Sequence, residues 1–197
     1  MSEQEKIIQI ARQNNNMFKT KTIVEAGIRK ERIKEVLEAG LIQRIDHGYY
    51  TLANATVDSF YKIQQRHSKG VFSYATAAYL LEMIRNCPKT IDYTVPRVYN
   101  TSRLKIEPAI KYHYVLDNLF DIGLTEIVSP EGELVRVYVK ERTICDFIRH
   151  RNRIDSKLYS KVLNSYFKSS DINPKRLLRY GKIFHITKEL QLYMDVL

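Results

Sequence analysis

The side chains with most to offer chemically are basic, and they fall into two groups. Near the N-terminus stand Lys19, Thr20 and Lys21, then Arg29, Lys30, Arg32 and Lys34, then Arg44 and His47, types suited to holding phosphates. Arginine adds forked hydrogen bonding to guanine. Glu31, Glu35 and Glu38 share the middle stretch, so a solvated face of alternating charge is the plain alternative. The second group is denser. From residue 142 to residue 182 it comprises Arg142, Arg149, Arg151, Arg153, Lys157, Lys161, Lys168, Lys175, Arg176, Arg179 and Lys182 against Asp146, Asp155 and Asp171. That stretch carries +8 of the chain's formal +10, whereas residues 1–52 carry +2. With Tyr159, Tyr166 and Tyr180 interleaved, it fits a second phosphate-contacting surface, a face for an acidic partner, or a solvated basic layer.

Catalytic patterns are scarce. There is no glycine-rich phosphate loop, no G-x-S-x-G elbow and no H-E-x-x-H pair, and His47, His67, His113, His150 and His185 stand apart from one another in sequence. A metal-dependent nuclease of the restriction type needs an acid two residues before a lysine, which only Asp155-Ser156-Lys157 supplies. Asp155 there reads better as a helix N-cap. Cys145 and His150 lack a third group to orient a base. The expectation is a chain without catalytic residues, metal or cofactor.

The elements that would position these side chains follow from period and punctuation. Ile7, Ile10, Ala11 and Asn14 step as one face of a helix from about residue 3 to 15. Thr20 opens a short second helix, Gly27 turns the chain, and a third helix spans about 29–39 with Ile33, Val36 and Leu37 inward. A strand at 41–45, a loop at Asp46-His47-Gly48 and a return strand at 49–52 complete a hairpin. A helix-turn-helix followed at once by a hairpin is a winged helix, whose third helix enters the major groove while the wing holds phosphates. The polar run 53–58 reads as a joint, giving domains at 1–53 and 54–197.

Beyond the joint, helices are expected at 59–66 and 73–85, the second capped by Ser73. Strands follow at 90–95, 110–116, 124–128 and 133–139, the last pair turned by Pro130-Glu131-Gly132. Val135, Val137 and Val139 alternate with Arg136, Tyr138 and Lys140, predicting one buried and one wet face. Helices at 141–150, 155–167, from Asn173-Pro174, and from 187 to the end close the chain. The fold class is therefore α+β: a winged helix-turn-helix, then a mixed α/β domain with a small, mainly antiparallel sheet and C-terminal helices.

Composition agrees with a folded chain. At 44 % hydrophobic and 27 % charged residues, 197 residues can bury a core. No membrane-length apolar run and no signal-like N-terminus is present, so a cytoplasmic protein with no membrane partner is expected. Cys87 and Cys145 are too few for a disulfide framework and read as reduced, buried thiols.

The order of motifs resembles the AbiEi-type antitoxins. Phe18-Lys19-Thr20-Lys21, Glu25-Ala26-Gly27-Ile28, residues 37–41 and the wing from Arg44 to Tyr50 are similar to that family's N-terminal winged helix. Ser73-Tyr74-Ala75-Thr76-Ala77-Ala78 and Glu141-Arg142-Thr143-Ile144-Cys145-Asp146 are similar to its S-H-x-T-A-A and E-R-T-x-x-D signatures, with Tyr74 standing where the family often has His. The resemblance implies an antitoxin of a type IV, abortive-infection toxin-antitoxin system. Such a protein represses its own operon by binding inverted repeats in double-stranded operator DNA. It counteracts a nucleotidyltransferase-like toxin without forming a stable complex with it. Ser73, Thr76, Glu141, Arg142, Thr143 and Asp146 would belong to the signature of the C-terminal domain. Glu141 at a helix start and Arg142 paired internally with an acid would make that signature structural. A small metal-dependent nuclease and a ligand-sensing regulator carrying a winged helix remain the alternatives.

Overall fold

The computed structural model describes residues 1–101 and 109–194, and the chain divides into two compact units, 1–62 and 63–197. The end of the last expected helix, residues 195–197, lies outside the described residues.

The first unit opens with α1 (Glu3–Gln13), fixed by a capping box in which the Ser2 side chain accepts from Glu5 N–H and the Glu5 carboxylate accepts from Ser2 N–H. Asn14 closes it, and Asn15 and Asn16 turn the chain at φ of 55° and 61°, a region asparagine tolerates. A strand the periodicity had not revealed follows, β1 (Met17–Lys19), too short to show alternation. Then come α2 (Thr20–Glu25), α3 (Glu31–Glu38), β2 (Ile42–Asp46) and β3 (Tyr49–Leu52). The three strands form an antiparallel sheet in the order β1-β3-β2, with Phe18 opposite Tyr50 and Arg44 opposite Tyr50. Ile7, Ala11, Phe18, Ile23, Ile28, Ile33, Val36 and Ile42 make one core, drawn from every helix and from β1 and β2. Gly48 is left-handed at φ 72°, as the hairpin turn requires.

The division between the units falls inside α4 (Ser59–Arg66), so residues 54–62 group with the first unit and not with the second. Asp58 caps α4, its carboxylate accepting from Phe60 N–H at 2.8 Å and Tyr61 N–H at 2.9 Å.

In the second unit β4 (Val71–Phe72) leads into α5 (Tyr74–Leu80), followed by β5 (Ile91–Pro96), β6 (Ile110–Val115), α6 (Asp117–Phe120), β7 (Leu124–Val128) and β8 (Leu134–Tyr138). Helices α7 (Lys140–Arg149), α8 (Ser156–Phe167), α9 (Pro174–Ile183) and α10 (Thr187–Met194) complete it, with a 3-10 turn at Arg151–Arg153. The five-stranded sheet runs β6-β5-β4-β8-β7 and is mixed: β5–β6 and β4–β8 are parallel, β4–β5 and β7–β8 antiparallel. The expected sheet was mainly antiparallel, and its one predicted hairpin, at Pro130-Glu131-Gly132, is the β7–β8 pair. The parallel pairs join segments distant in sequence and leave no turn signal.

Three local expectations are corrected. Helix α5 stops at Leu80 instead of Arg85, because Glu82 turns left-handed at φ 60° and Met83 N–H returns to the Ala78 carbonyl at 2.8 Å. Tyr138 is fully buried, so the wet face of β8 is confined to exposed Leu134 and half-buried Arg136: at its Tyr138 end that face is covered by the Arg142 guanidinium, 4.3 Å from the Tyr138 ring. Cys145 is buried but Cys87 is exposed, and both are free thiols.

Candidate functional site

The N-terminal basic residues divide by what else they touch. Arg29 and Lys30 are exposed at the entry to α3, and no ion pair engages either among the described residues. Lys21 and Lys34 are about as exposed, at 81 % and 79 %, and sit four residues from Glu25 and Glu38 at 3.5 Å and 3.6 Å. Such surface pairs cost little to exchange for another anion. Arg32 is committed elsewhere. Its Nε donates to Glu3 at 2.7 Å and its Nη1 to Glu35 at 2.6 Å, tying α3 to α1, which argues for a brace and against base contact. Lys19 lies over the Tyr49 ring at 5.4 Å, and burial, helped by nearby Lys21, lowers its ammonium below the ordinary range. Thr20 N–H donates to the Gly48 carbonyl at 2.9 Å, which fastens the start of α2 to the hairpin turn. Arg44 Nε bonds the Asp46 carbonyl, and both Arg44 and His47 are exposed on the hairpin.

The C-terminal bases do not act alike either. Arg142 is 2 % exposed, so it contributes nothing to any basic surface. It donates to Asp146 Oδ2 and to the carbonyls of Leu119 and Ile122, all at 2.9 Å, between the rings of Tyr138 and Phe184. Gly123 runs so close that a Cβ there would stand 2.7 Å from Arg142 Cβ. Glu141, 4 % exposed, accepts from the Tyr166 hydroxyl and Arg176, and Thr143 Oγ1 bonds the Tyr138 carbonyl. The E-R-T-x-x-D stretch is thus an internal brace. Of the remaining bases, Arg149, Arg151, Arg153, Lys157, Lys161, Lys168, Lys175, Arg176, Arg179 and Lys182 are exposed. Arg151 covers the Tyr159 ring at 4.1 Å and Arg179 the Tyr180 ring at 5.3 Å. Asp155 caps α8, accepting from Lys157 and Leu158 N–H at 3.0 Å and 2.9 Å.

Arg149 and Arg153 border a cleft of about 700 Å³ within the second unit, between the β5–β6 side of the sheet and α7 and α8. Its wall is a chain of contacts. Asp92 on β5 accepts from His113 Nε2 on β6 at 2.7 Å, the His113 ring stacks on Tyr74 with centroids 4.0 Å apart, and the Tyr74 hydroxyl lies 2.9 Å from His150 Nδ1 on α7. Burial raises the Tyr74 phenol and lowers the His150 imidazole from their ordinary values, so both are held neutral at pH 7. Burial also raises the Asp146 carboxyl, against the opposing pull of Arg142. The S-Y-x-T-A-A stretch frames this wall. Thr76 Oγ1 accepts from Asp92 N–H at 2.9 Å, and Ser73 N–H donates to the Asp92 carbonyl at 3.1 Å. Ser73 is the N-cap residue of α5 but makes no capping hydrogen bond through its side chain, whose Oγ is buried without a partner, and Tyr74, the first residue of the helix, has a positive φ of 44°.

His113 and His150 stand apart in sequence, and Asp92 belongs to no motif. They meet only through the β5–β6 register, which puts Thr94 beside His113, and through the packing of α5 on α7. Polar residues inside otherwise apolar strands were the available signal. No group of three or more His, Cys, Asp or Glu side chains among the described residues is placed to hold a metal ion, and no described helix is long and apolar enough to cross a membrane. No family model matches the chain, and no curated protein does so either.

Proposed function

We propose that the chain is an antitoxin and transcriptional autorepressor whose first unit is a winged helix that binds duplex operator DNA. The observation carrying this reading is the pair Arg29 and Lys30, exposed and unpaired among the described residues at the start of α3, with a fastened hairpin two elements later. The succession α1-β1-α2-α3-β2-β3, closed by an antiparallel sheet over one apolar core, supports it. A helix fits the major groove and presents its early residues to base edges, while Arg44 and His47 on the wing and Lys19, Thr20 and Lys21 at α2 are suited to phosphates. Inverted repeats would take two copies of the chain, one on each half-site. The second unit would counteract a nucleotidyltransferase-like toxin without catalysis, a role that rests on the likeness of the S-Y-x-T-A-A and E-R-T-x-x-D stretches to the AbiEi-type signatures.

The test is a gel-shift titration with the duplex directly upstream of its own reading frame. The double variant Lys30→Glu, Lys34→Glu should lose retention while still neutralising the toxin in cells. Retention at wild-type affinity would show that α3 does not read DNA.

A further inference from the structure

The cleft in the second unit has no part in reading DNA through α3 and the hairpin, yet it carries an unusual balance of charge. Two of its acids are already engaged, Asp92 with His113 and Asp146 with Arg142. Its four exposed cations, Arg97 and Lys111 from the sheet side and Arg149 and Arg153 from the helix side, pair with no carboxylate among the described residues. Opposing them is Asp155, whose carboxylate is occupied by the backbone of α8. What sets these four apart is that they converge on one cleft, whereas Lys21 and Lys34 in the first unit sit beside Glu25 and Glu38 on open surface.

The interior of the cleft is of another kind. Tyr74, 9 % exposed, lies stacked on His113, and Phe147 and Leu158 contribute apolar surface. The Ser73 hydroxyl beneath this wall is fully buried and unsatisfied, at the point where Tyr74 is held in a left-handed conformation. A non-glycine residue in that region is strained and persists where the surroundings demand the geometry, often at ligand sites. Cations at the mouth with an aromatic, partly apolar interior match an anion that has a flat organic body. The volume, about 700 Å³, lies inside the range of small-molecule pockets. Guanidinium groups bind phosphate oxygens in forked pairs, and aromatic rings stack on nucleobases.

We propose that this cleft is a binding site for a nucleoside phosphate, with the phosphate among Arg97, Lys111, Arg149 and Arg153 and the base against the Tyr74–His113 wall. A concave cleft of small-molecule size, with an aromatic wall set behind the cations, suits such a molecule better than duplex DNA, whose phosphates are met by open convex surface. The His150 ring, with Nδ1 facing the Tyr74 hydroxyl and the Asp146 carbonyl, has Nε2 available to a ligand hydroxyl or phosphate.

The full-length protein should be titrated with ATP, CTP, AMP and inorganic phosphate by calorimetry and thermal denaturation, beside the double variant Arg149→Ala, Arg153→Ala. At least one nucleotide should bind and raise the melting temperature. The double variant should bind it roughly tenfold or more weakly, since each lost charged hydrogen bond is worth that much. Tyr74→Phe, which keeps the ring, should retain most of the affinity. Lys161→Ala, outside the cleft, should bind as wild type. Inorganic phosphate binding as tightly as the nucleotides would overturn the role of the aromatic wall. Absence of binding by every probe, or equal affinity in the double variant, would overturn the site. Loss of duplex binding alone in the double variant would assign these arginines to DNA. Failure of the Lys30→Glu, Lys34→Glu prediction leaves this outcome unaffected, because the two pairs of residues lie in different units.

Discussion

The two units handle charge in opposite ways. In the first, Lys21, Lys34 and Arg32 stay at or near the surface with carboxylates beside them, Glu25, Glu38, and Glu3 with Glu35, while Arg29 and Lys30 are exposed without an ion pair among the described residues. In the second, charge is sorted by depth. Arg142, Glu141 and Asp146 are buried and hydrogen-bonded, while Arg97, Lys111, Arg149 and Arg153 face a cleft and form no ion pair among the described residues. The same residue types therefore serve as an exchangeable surface in one unit, and as an internal brace plus a cationic mouth in the other. A net charge summed along the chain cannot distinguish these uses, since Arg142 counts toward +8 and contributes nothing outside.

The sharpest contrast lies in what removing one arginine does. Arg142→Met strands a buried carboxylate and two carbonyls, and should destabilise the second unit by about 3–5 kcal/mol. Arg32→Met, at a site whose side chain is 34 % exposed, should leave the unfolding midpoint of the first unit close to wild type. Urea titrations followed by two-dimensional NMR, which resolves amides of each unit, would compare them. Equal effects would break the contrast.

A smaller effect is expected from backbone crowding. Gly27 and Gly123 have nearly the same φ, 77° and 80°, but a Cβ at Gly27 meets nothing within 4 Å, whereas one at Gly123 meets Arg142 Cβ at 2.7 Å. Gly27→Ala should cost about 1 kcal/mol from the left-handed backbone alone. Gly123→Ala should cost clearly more, because Arg142 cannot retreat without breaking its bonds. Chemical denaturation of the two variants checks this.

The smallest effect is in the pH profile. Burial holds His150 below the ordinary histidine value, so on acidification the unfolded chain takes up this proton first. Stability from this group is present at neutral pH and is lost as pH falls below about 6.5, until the folded form is protonated too. Melting temperatures of wild type and His150→Gln, measured between roughly pH 7 and 5, should converge as the pH falls. A constant gap would remove His150 from the account.

The difference between the units also explains how much could be read from residues alone. In the first, the helix period through Ile7 and Ala11, the turn at Gly27 and the hairpin loop at Gly48 are local signals, and all of these elements are present. Only β1 escaped, three residues whose pairing to β3 is a tertiary fact. In the second unit β5 to β8 were legible from their β-branched content, the two-residue β4 and the short α6 were not, and which strands pair was not legible at all. Asp92 and His113 lie 21 residues apart, and Tyr74 and His150 are 76 apart. Parallel pairing and helix packing brought them together, and neither leaves a mark at short range. Ser73 is the N-cap residue of α5 as expected, but its side chain makes no capping hydrogen bond, and the left-handed Tyr74 that follows stacks on His113, a tertiary contact with no short-range mark.

The central claim is that the two cationic regions have separate ligands. It is tested most directly by crossing two variants with two probes in one binding assay, the upstream duplex and a nucleoside triphosphate. The account predicts that Lys30→Glu, Lys34→Glu loses the duplex and keeps the nucleotide, while Arg149→Ala, Arg153→Ala loses the nucleotide and keeps the duplex. Both variants losing the same probe would contradict it.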